Sequence, residues 1–279
     1  MASPTEPSSA SRSGVAERLL ALLGAFDAQH RELSLTSLAR RAGLPAATTH
    51  RLVGQLTAWG ALEQAEGGGY RIGLRLWEVG CLAPRSSGLR RAVLPFMEDL
   101  YETTHENVQL AVRDGLDTLY IELISGRSAV VVRTTVGSRW PLHATGVGLV
   151  LLAHAPAAVQ ERVCARPLAR FTGHTITEPA RLRATLAEVR RADAAVSDRQ
   201  ITDDAVSVAA PIRDASGSVV AALSLVVPAT ANPAPLVPAV RMAARGGSRA
   251  LGYGPGPRST RAEGHGAFHP VEEPLAGQG

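Results

Sequence analysis

Residues 34–73, SLTSLARRAGLPAATTHRLVGQLTAWGALEQAEGGGYRIG, constrain this chain more than any other stretch. They read as short helices, a tight turn, a further helix and a glycine-tipped hairpin, which is the order of a winged helix-turn-helix. Gly43 closes one helix because it tolerates a left-handed C-terminal cap, and Pro45 opens the next because a first-turn residue has no N–H bond to lose. At about 100° per residue, Leu52, Val53, Leu56 and Trp59 share the apolar face of that second helix, and Ala47, His50, Arg51 and Gly54 share the other.

The small residues Ala46, Ala47 and Gly54 would let this helix sit deep in a major groove, with Thr48, Thr49, His50 and Arg51 near base edges and phosphates and Arg40 close by. The wing runs from Leu62 to Ala65, turns at Glu66-Gly67-Gly68-Gly69, and returns from Tyr70 to Gly73, so that Arg71 and Arg75 can reach backbone or minor groove. Double-stranded DNA is the partner these features predict.

Charge supports that reading only mildly. The formal net charge is +4, all 29 cationic residues are arginine, and the segment 12–75 carries eight arginines against five acidic residues. Any salt-dependent DNA affinity must therefore come from how those arginines are arranged. An architectural protein that coats DNA without sequence preference would need a stronger basic excess. Two cysteines, Cys81 and Cys164, lie in apolar helical patterns without a C-x-x-C partner, so both are expected as buried small hydrophobes, and no disulfide framework is indicated. His105, His143, His154 and His174 have no companion at metal-ligand spacing, and no metal or cofactor is expected. His143 is expected to be a hydrogen-bonded structural residue. No stretch approaches the roughly 20 apolar residues of a membrane span, and no leader pattern opens the chain, so a cytoplasmic protein is expected.

The chain divides by composition. Residues 1–12 are Ser/Pro-rich and expected to be disordered; 13–75 hold the winged helix-turn-helix, whose first helix spans about Gly14 to Gln29. A linker helix and connection occupy 76–88, with Leu74, Trp77 and Cys81 on one side and a break at Arg85-Ser86-Ser87-Gly88. That apolar side is read as a pairing surface for a second copy, because a helix-turn-helix monomer reads only a half-site. Residues 89–252 predict a helix, three strands at 107–113, 118–124 and 129–135, helices at 145–154, 156–165 and 177–192 with Thr175 and Thr177 available as N-caps, strands at 195–198, 206–213 and 219–227, and a closing helix at 235–251. Such an order is an α+β arrangement on one mainly antiparallel sheet. Residues 253–279 lack any period and are expected to be a disordered tail.

Three separated motifs carry a family resemblance. LSLTSLARRAGLPAATTHRLVGQL followed by YRIGLRLWEVG, then PLHATGVGLVLLA at 141–153, then SVAAPIRDASGSVVAALSLVVP at 207–228 resemble the IclR family of bacterial transcriptional regulators, in the right order and over about residues 14–252. The resemblance implies a GAF-like α/β sandwich effector domain behind the winged helix-turn-helix, a dimer or dimer of dimers on a near-palindromic operator, DNA affinity controlled by a small molecule, and repression favoured over activation. It also implies a pocket at Gly146 and Val147, acting through backbone amides, with Ser197, Asp198, Ser207 and Ser224. This chain departs from the family pattern at Leu149, Arg199, Gln200, Ala205, Ser207 and Val226, which makes the expected pocket rim less polar. A GAF-like small-molecule-processing enzyme is the alternative, and it would require a reactive setting for Cys164.

Overall fold

A computed structural model describes residues 14–27, 29–126 and 129–254; residues 1–12 and all of the expected tail but Tyr253 and Gly254 lie outside the described residues. The N-terminal unit contains α1 (Val15–Leu23), β1 (Glu32–Leu33), α2 (Leu35–Ala42), α3 (Ala46–Trp59), β2 (Leu62–Gln64) and β3 (Tyr70–Ile72). Leu22, Leu38, Leu52, Val53 and Leu56 from the three helices meet with Leu33 and Leu62 in one core. The turn between α2 and α3 is made as its chemistry requires: Gly43 sits at φ 66°, its N–H donates to Arg40 O, and the next N–H donates to Ala39 O. Pro45 is the N-cap of α3, so the helix starts at Ala46, one residue later than expected.

Helix α1 stops at Leu23, six residues before the expected Gln29. The chain turns there because the Asp27 carboxylate accepts the N–H groups of Gln29 and His30 at 2.9 Å each and the Arg41 guanidinium at 2.6 Å. The His30 ring, bonded at 2.8 Å, is the main reason that the Asp27 pKa is pulled down to about 2. Strand β1, which sequence patterning does not announce, pairs antiparallel with β3, so the wing is a three-stranded sheet in the order β1-β3-β2.

Past the wing, α4 (Leu74–Cys81) ends at Leu82, and α5 (Pro84–Thr104) starts almost at once. The expected break at 85–88 lies inside α5. Pro84 occupies the first turn, where its missing N–H costs nothing, and Leu89, Val93, Met97 and Leu100 supply a buried stripe that holds the helix to the sheet. Cys81 is exposed, contrary to expectation, whereas Cys164 is buried.

The C-terminal unit continues with β4 (Asn107–Asp114), β5 (Asp117–Ile124), β6 (Arg139–Pro141), α6 (Gly146–Ala153), α7 (Ala157–Cys164), α8 (Pro179–Ala192), β7 (Ala195–Asp198), β8 (Ala205–Arg213), β9 (Val219–Pro228) and α9 (Leu236–Ala250). Among the described residues its sheet has the order β6-β5-β4-β9-β8-β7, antiparallel throughout. Alternation along the strands divides their side chains between two cores. Val108, Leu110, Val208, Ile212, Leu223 and Leu225 face α5 and α9. Ala111, Tyr120, Ala209 and Ala222 face α6, α7 and α8. This is the expected α+β, GAF-like sandwich. Gly246 and Gly247 bring α9 against α5, since a Cβ at Gly246 would lie 2.4 Å from the Phe96 ring.

Two local expectations are corrected. The expected strand at 129–135 is not a strand; the third strand of the meander is β6, paired with β5. Side chains replace the ladder here: Asn107 Nδ2 donates to Val130 O at 2.8 Å and Gln109 Nε2 to Thr134 Oγ1 at 2.6 Å, so the segment lies over the sheet instead of beside it. Thr175 and Thr177 do not cap α8, whose N-cap is Glu178; Thr175 Oγ1 donates to Gln200 O at 2.7 Å, and Thr177 Oγ1 accepts from Arg170 at 3.0 Å.

Because Leu52 is fully buried at the centre of the N-terminal core, Leu52→Ala is expected to cost about 2–5 kcal/mol in urea unfolding followed by circular dichroism. A cost below about 1 kcal/mol would contradict the packing described.

Candidate DNA-contacting face and effector pocket

Helix α3 presents Ala46, Ala47, His50, Arg51, Gly54, Gln55 and Ala58 to solvent. Its first-turn N–H groups have no side-chain cap, leaving donors for a phosphate. Arg51 and Gln55 lie one turn apart on this face, and both carry side chains that can read a base edge. Gln55 was not singled out by sequence, where its polarity alone gave no contrast with its neighbours. Thr48 is half-buried and Arg40 is exposed at the end of α2. Thr49 is a correction: it is fully buried, and its hydroxyl donates back to Pro45 O at 3.1 Å, so it shapes the start of α3 and cannot reach a groove.

Trp59 was placed with the apolar face, yet it is 51% exposed, with the Arg75 guanidinium 5.5 Å from its ring centre. Arg75 is thus occupied by Trp59 and by Glu78 at 3.5 Å. Arg71 lies along β3 and donates to Glu63 Oε2 at 3.2 Å. The other oxygen of Glu63 accepts the Leu74 N–H at 3.0 Å, a bond that is the first cause of its depressed pKa. Glu63 therefore ties the wing to the first turn of α4, a link that eleven residues of sequence separation hid.

In the C-terminal unit, the N-terminus of α6 opens on a pocket beneath the 129–135 segment. Thr145 caps the helix, its Oγ1 accepting the Gly148 N–H at 3.0 Å, and the first backbone bond is made by Leu149, so the amides of Gly146 and Val147 precede the helical ladder. Gly146, Ser197 and Ser207 line the pocket with Gln109, Tyr120, Arg133, Thr134, Trp140, Gln200, Thr202, Ala205 and Val226. The volume is about 60 Å³. That is room for a handful of heavy atoms. No Asp or Glu lines it, and Arg133 stands at its edge. A Cβ on Gly146 would lie 2.7 Å from Ser207 Oγ, which makes glycine necessary for the close approach of α6 to β8.

The other three residues named from the resemblance sit elsewhere. Val147 is buried in the core between α6 and the sheet, leaving only its backbone near the pocket. Asp198 is half-exposed and turned to Arg199, whose Nε and Nη2 donate at 2.9 and 3.0 Å; that pairing lowers its pKa. Ser224 is fully buried on β9 opposite Gln109 and Ala209, its hydroxyl without a partner. Gln109 is the main residue the sequence reading missed, and two amide side chains in the otherwise apolar run Asn107-Val108-Gln109-Leu110 were its signal.

Tyr120 is held neutral by burial, which raises its pKa, while a hydrogen bond with Thr145 opposes that rise. His143 is buried, its Nε2 2.9 Å from Ala169 O, and burial lowers its pKa, so it serves structure as a neutral ring. Burial likewise raises the Cys164 thiol, opposite to what a nucleophile needs. Among the described residues there is no cluster of three His, Cys, Asp or Glu side chains able to hold a metal ion, and no helix is long and apolar enough to cross a membrane.

Comparison with known proteins agrees with both halves of this geometry. The model of the IclR helix-turn-helix domain matches residues 15–66, and that of the bacterial transcriptional regulator IclR C-terminal region matches 82–247. The chain is 31% identical over 211 residues to the HTH-type transcriptional regulator XynR of Escherichia coli (strain K12), covering 75% of this chain and 84% of that one. It is 30% identical over 197 residues to the transcriptional repressor IclR of the same organism, covering 69% and 72%. The crystal structure of an IclR homolog complexed with 4-hydroxybenzoate, from Microbacterium hydrocarbonoxydans, superposes with a TM-score of 0.83 at 36% identity, over 85% of this chain and 99% of that one. These relatives are regulators and not enzymes, and the family matches span the DNA-contacting helix and the pocket. The chain belongs to the IclR family of bacterial transcriptional regulators.

Proposed function

We propose that this protein is a cytoplasmic repressor that binds a near-palindromic operator as a dimer or dimer of dimers, with its affinity set by a small organic acid in the pocket at the N-terminus of α6. The observation that carries the effector assignment is the pocket's charge. It has no acidic side chain, one arginine at the edge, hydroxyls from Ser197, Ser207 and Thr202, and a helix N-terminus whose first amides suit a carboxylate. Tyr120 and Trp140 add flat apolar walls. The bound 4-hydroxybenzoate of the Microbacterium homolog is a small aromatic acid of this kind. A ligand larger than the present cavity must displace the 129–135 segment, which the side chains of Asn107 and Gln109 hold to β4.

The dimer reading rests on the linker. Leu74 and Trp77, each 68% exposed, share one side of α4 with the exposed Cys81, and Leu82, 79% exposed, caps the helix. So dense an apolar patch on a short helix fits burial against a second copy of itself, which would place two α3 helices on successive half-sites. Glu63 then makes the wing follow α4, and α5 carries the motion into the effector unit.

Genomic fragments selected by the purified protein and footprinted at two salt concentrations should share an inverted repeat; binding without shared sequence would refute the operator reading. Arg51→Ala is expected to weaken operator binding by about 1–3 kcal/mol, and a loss equal on all sequences would show a phosphate contact instead. Gly146→Ala should abolish the response to 4-hydroxybenzoate or benzoate in the footprint while leaving operator binding in place, since its Cβ closes the pocket against Ser207. Trp77→Glu should shift the protein to monomer in sedimentation and weaken the footprint; an unchanged dimer would move the interface elsewhere.

A further inference from the structure

A second, larger cavity lies at the opposite end of α6. Its volume is about 690 Å³, against about 60 Å³ for the effector pocket. Gly88 and Leu89 wall it from the start of α5, Val112 and Arg113 from β4, Leu151 and His154 from the end of α6, Arg213 and Val219 from β8 and β9, and Leu251 from the end of α9. It is thus built where the linker enters the effector unit. Its walls combine apolar side chains with two arginines and a histidine.

The polar groups are arranged with donors to spare. Arg213 gives one N–H to Asp193 Oδ1 at 2.8 Å and one to Gly217 O at 3.3 Å, two of the five a guanidinium carries. Arg113 gives one to Gly115 O at 3.0 Å. The lining carboxylate, Asp214, is taken up by its own turn, where Oδ1 accepts from Ser216 and Ser218. His154 Nε2 is buried without a hydrogen-bond partner and lies 4.0 Å from Asp193 Oδ1. Helix-end capping explains Arg190, which donates to Ala153 O at 3.1 Å, but neither the void nor the unpartnered nitrogen.

We propose that this cavity is a second ligand site, taking a small organic anion with an apolar body: the carboxylate meets Arg113 and Arg213, with the His154 ring in the wall beside them, and the body lies on Leu89, Val112, Leu151 and Leu251. Helix α6 connects it to the effector pocket. All eight residues of α6 are buried, Gly146 lines one cavity and His154 follows the last turn into the other, and eight residues span about 12 Å. A rod packed on all sides transmits an axial shift, so occupancy at one end alters affinity at the other, reciprocally. This coupling rests on the effector reading above; the second site itself does not.

Burial, then Arg213, keeps His154 below its ordinary pKa, with Asp193 opposing and Arg190 adding to the effect. An anion placed beside these groups, with Arg113 on the facing strand β4, favours the charged ring, so binding takes up a proton and tightens as pH falls through the histidine range.

The test is calorimetric titration of the full-length protein with octanoate. Wild type is expected to bind with proton uptake, Arg113→Gln to weaken binding about tenfold from a position at the cavity wall that packs no core, and Ala205→Phe, which fills the effector pocket, to retain binding with an affinity shifted only by the coupling. His154→Gln should remove the pH dependence. No binding by wild type overturns the proposal, as does binding that Ala205→Phe abolishes and Arg113→Gln spares. Octanoate should also change operator affinity about fivefold or more; binding without that change leaves the site standing and overturns the coupling alone.

Discussion

The burial of α6 against the sheet is the contact on which the effector half depends. Gly146-Val147-Gly148-Leu149-Val150-Leu151-Leu152-Ala153 is apolar on every side and buried at every position, so this helix must have walls all round it. The sheet supplies one wall through Ala111, Ala209 and Ala222, and α7 and α8 supply the others through Val163, Leu182 and Leu186. Small residues on the strands and glycines at the helix start allow the approach. A Cβ at Gly148 would lie 2.4 Å from Leu142 O, and one at Gly146 would run into Ser207. The pocket is what remains where this close packing ends and the helix's own amides begin.

The DNA-contacting half depends on a different kind of contact. Its core is small, and the elements outside it are held by charged side chains bonded to backbone: Asp27 at the end of α1, Arg41 to Ala25 O at 2.7 Å, and Glu63 between wing and linker. Exposed contacts of this type contribute little stability each but fix orientation. Orientation is what a regulator must transmit. Glu63 is notable because a single carboxylate accepts from Arg71 and from the first N–H of α4, which joins the wing to the start of the linker.

Much of this was readable in the residues. Gly43 and Pro45 announced the turn, the Leu52, Val53 and Leu56 stripe announced how α3 packs, and period-two alternation located the four long strands and β7. The failures have common causes. The alternating run at 129–135 reads as a strand, but two amide side chains on β4 hold it by hydrogen bonds to Val130 O and Thr134 Oγ1. The Ser-Ser-Gly run at 86–88 resembled a break, but a preceding proline and a following apolar stripe made it helix. Thr49 resembled an exposed threonine, yet it back-bonds to Pro45 inside the core. In the site, Gln109 and the residues of the 129–135 segment escaped notice because pocket membership depends on which strands become neighbours.

Turn chemistry, hydrophobic period and local motifs act over a few residues and survive any packing, so the residues announced the family, the two-part organisation and most of the order of elements, β1 and the 129–135 segment excepted. Which polar groups meet depends on how the elements pack. Strand order β5-β4-β9-β8-β7 sets Gln109, Ser207 and Ser197 around Gly146 although nearly a hundred residues separate the first from the second. It also turns Asp198 outward, buries Ser224, and leaves an arginine- and histidine-lined cavity at the far end of α6. Such placements arise from how two faces of one sheet are covered, and no local rule encodes them.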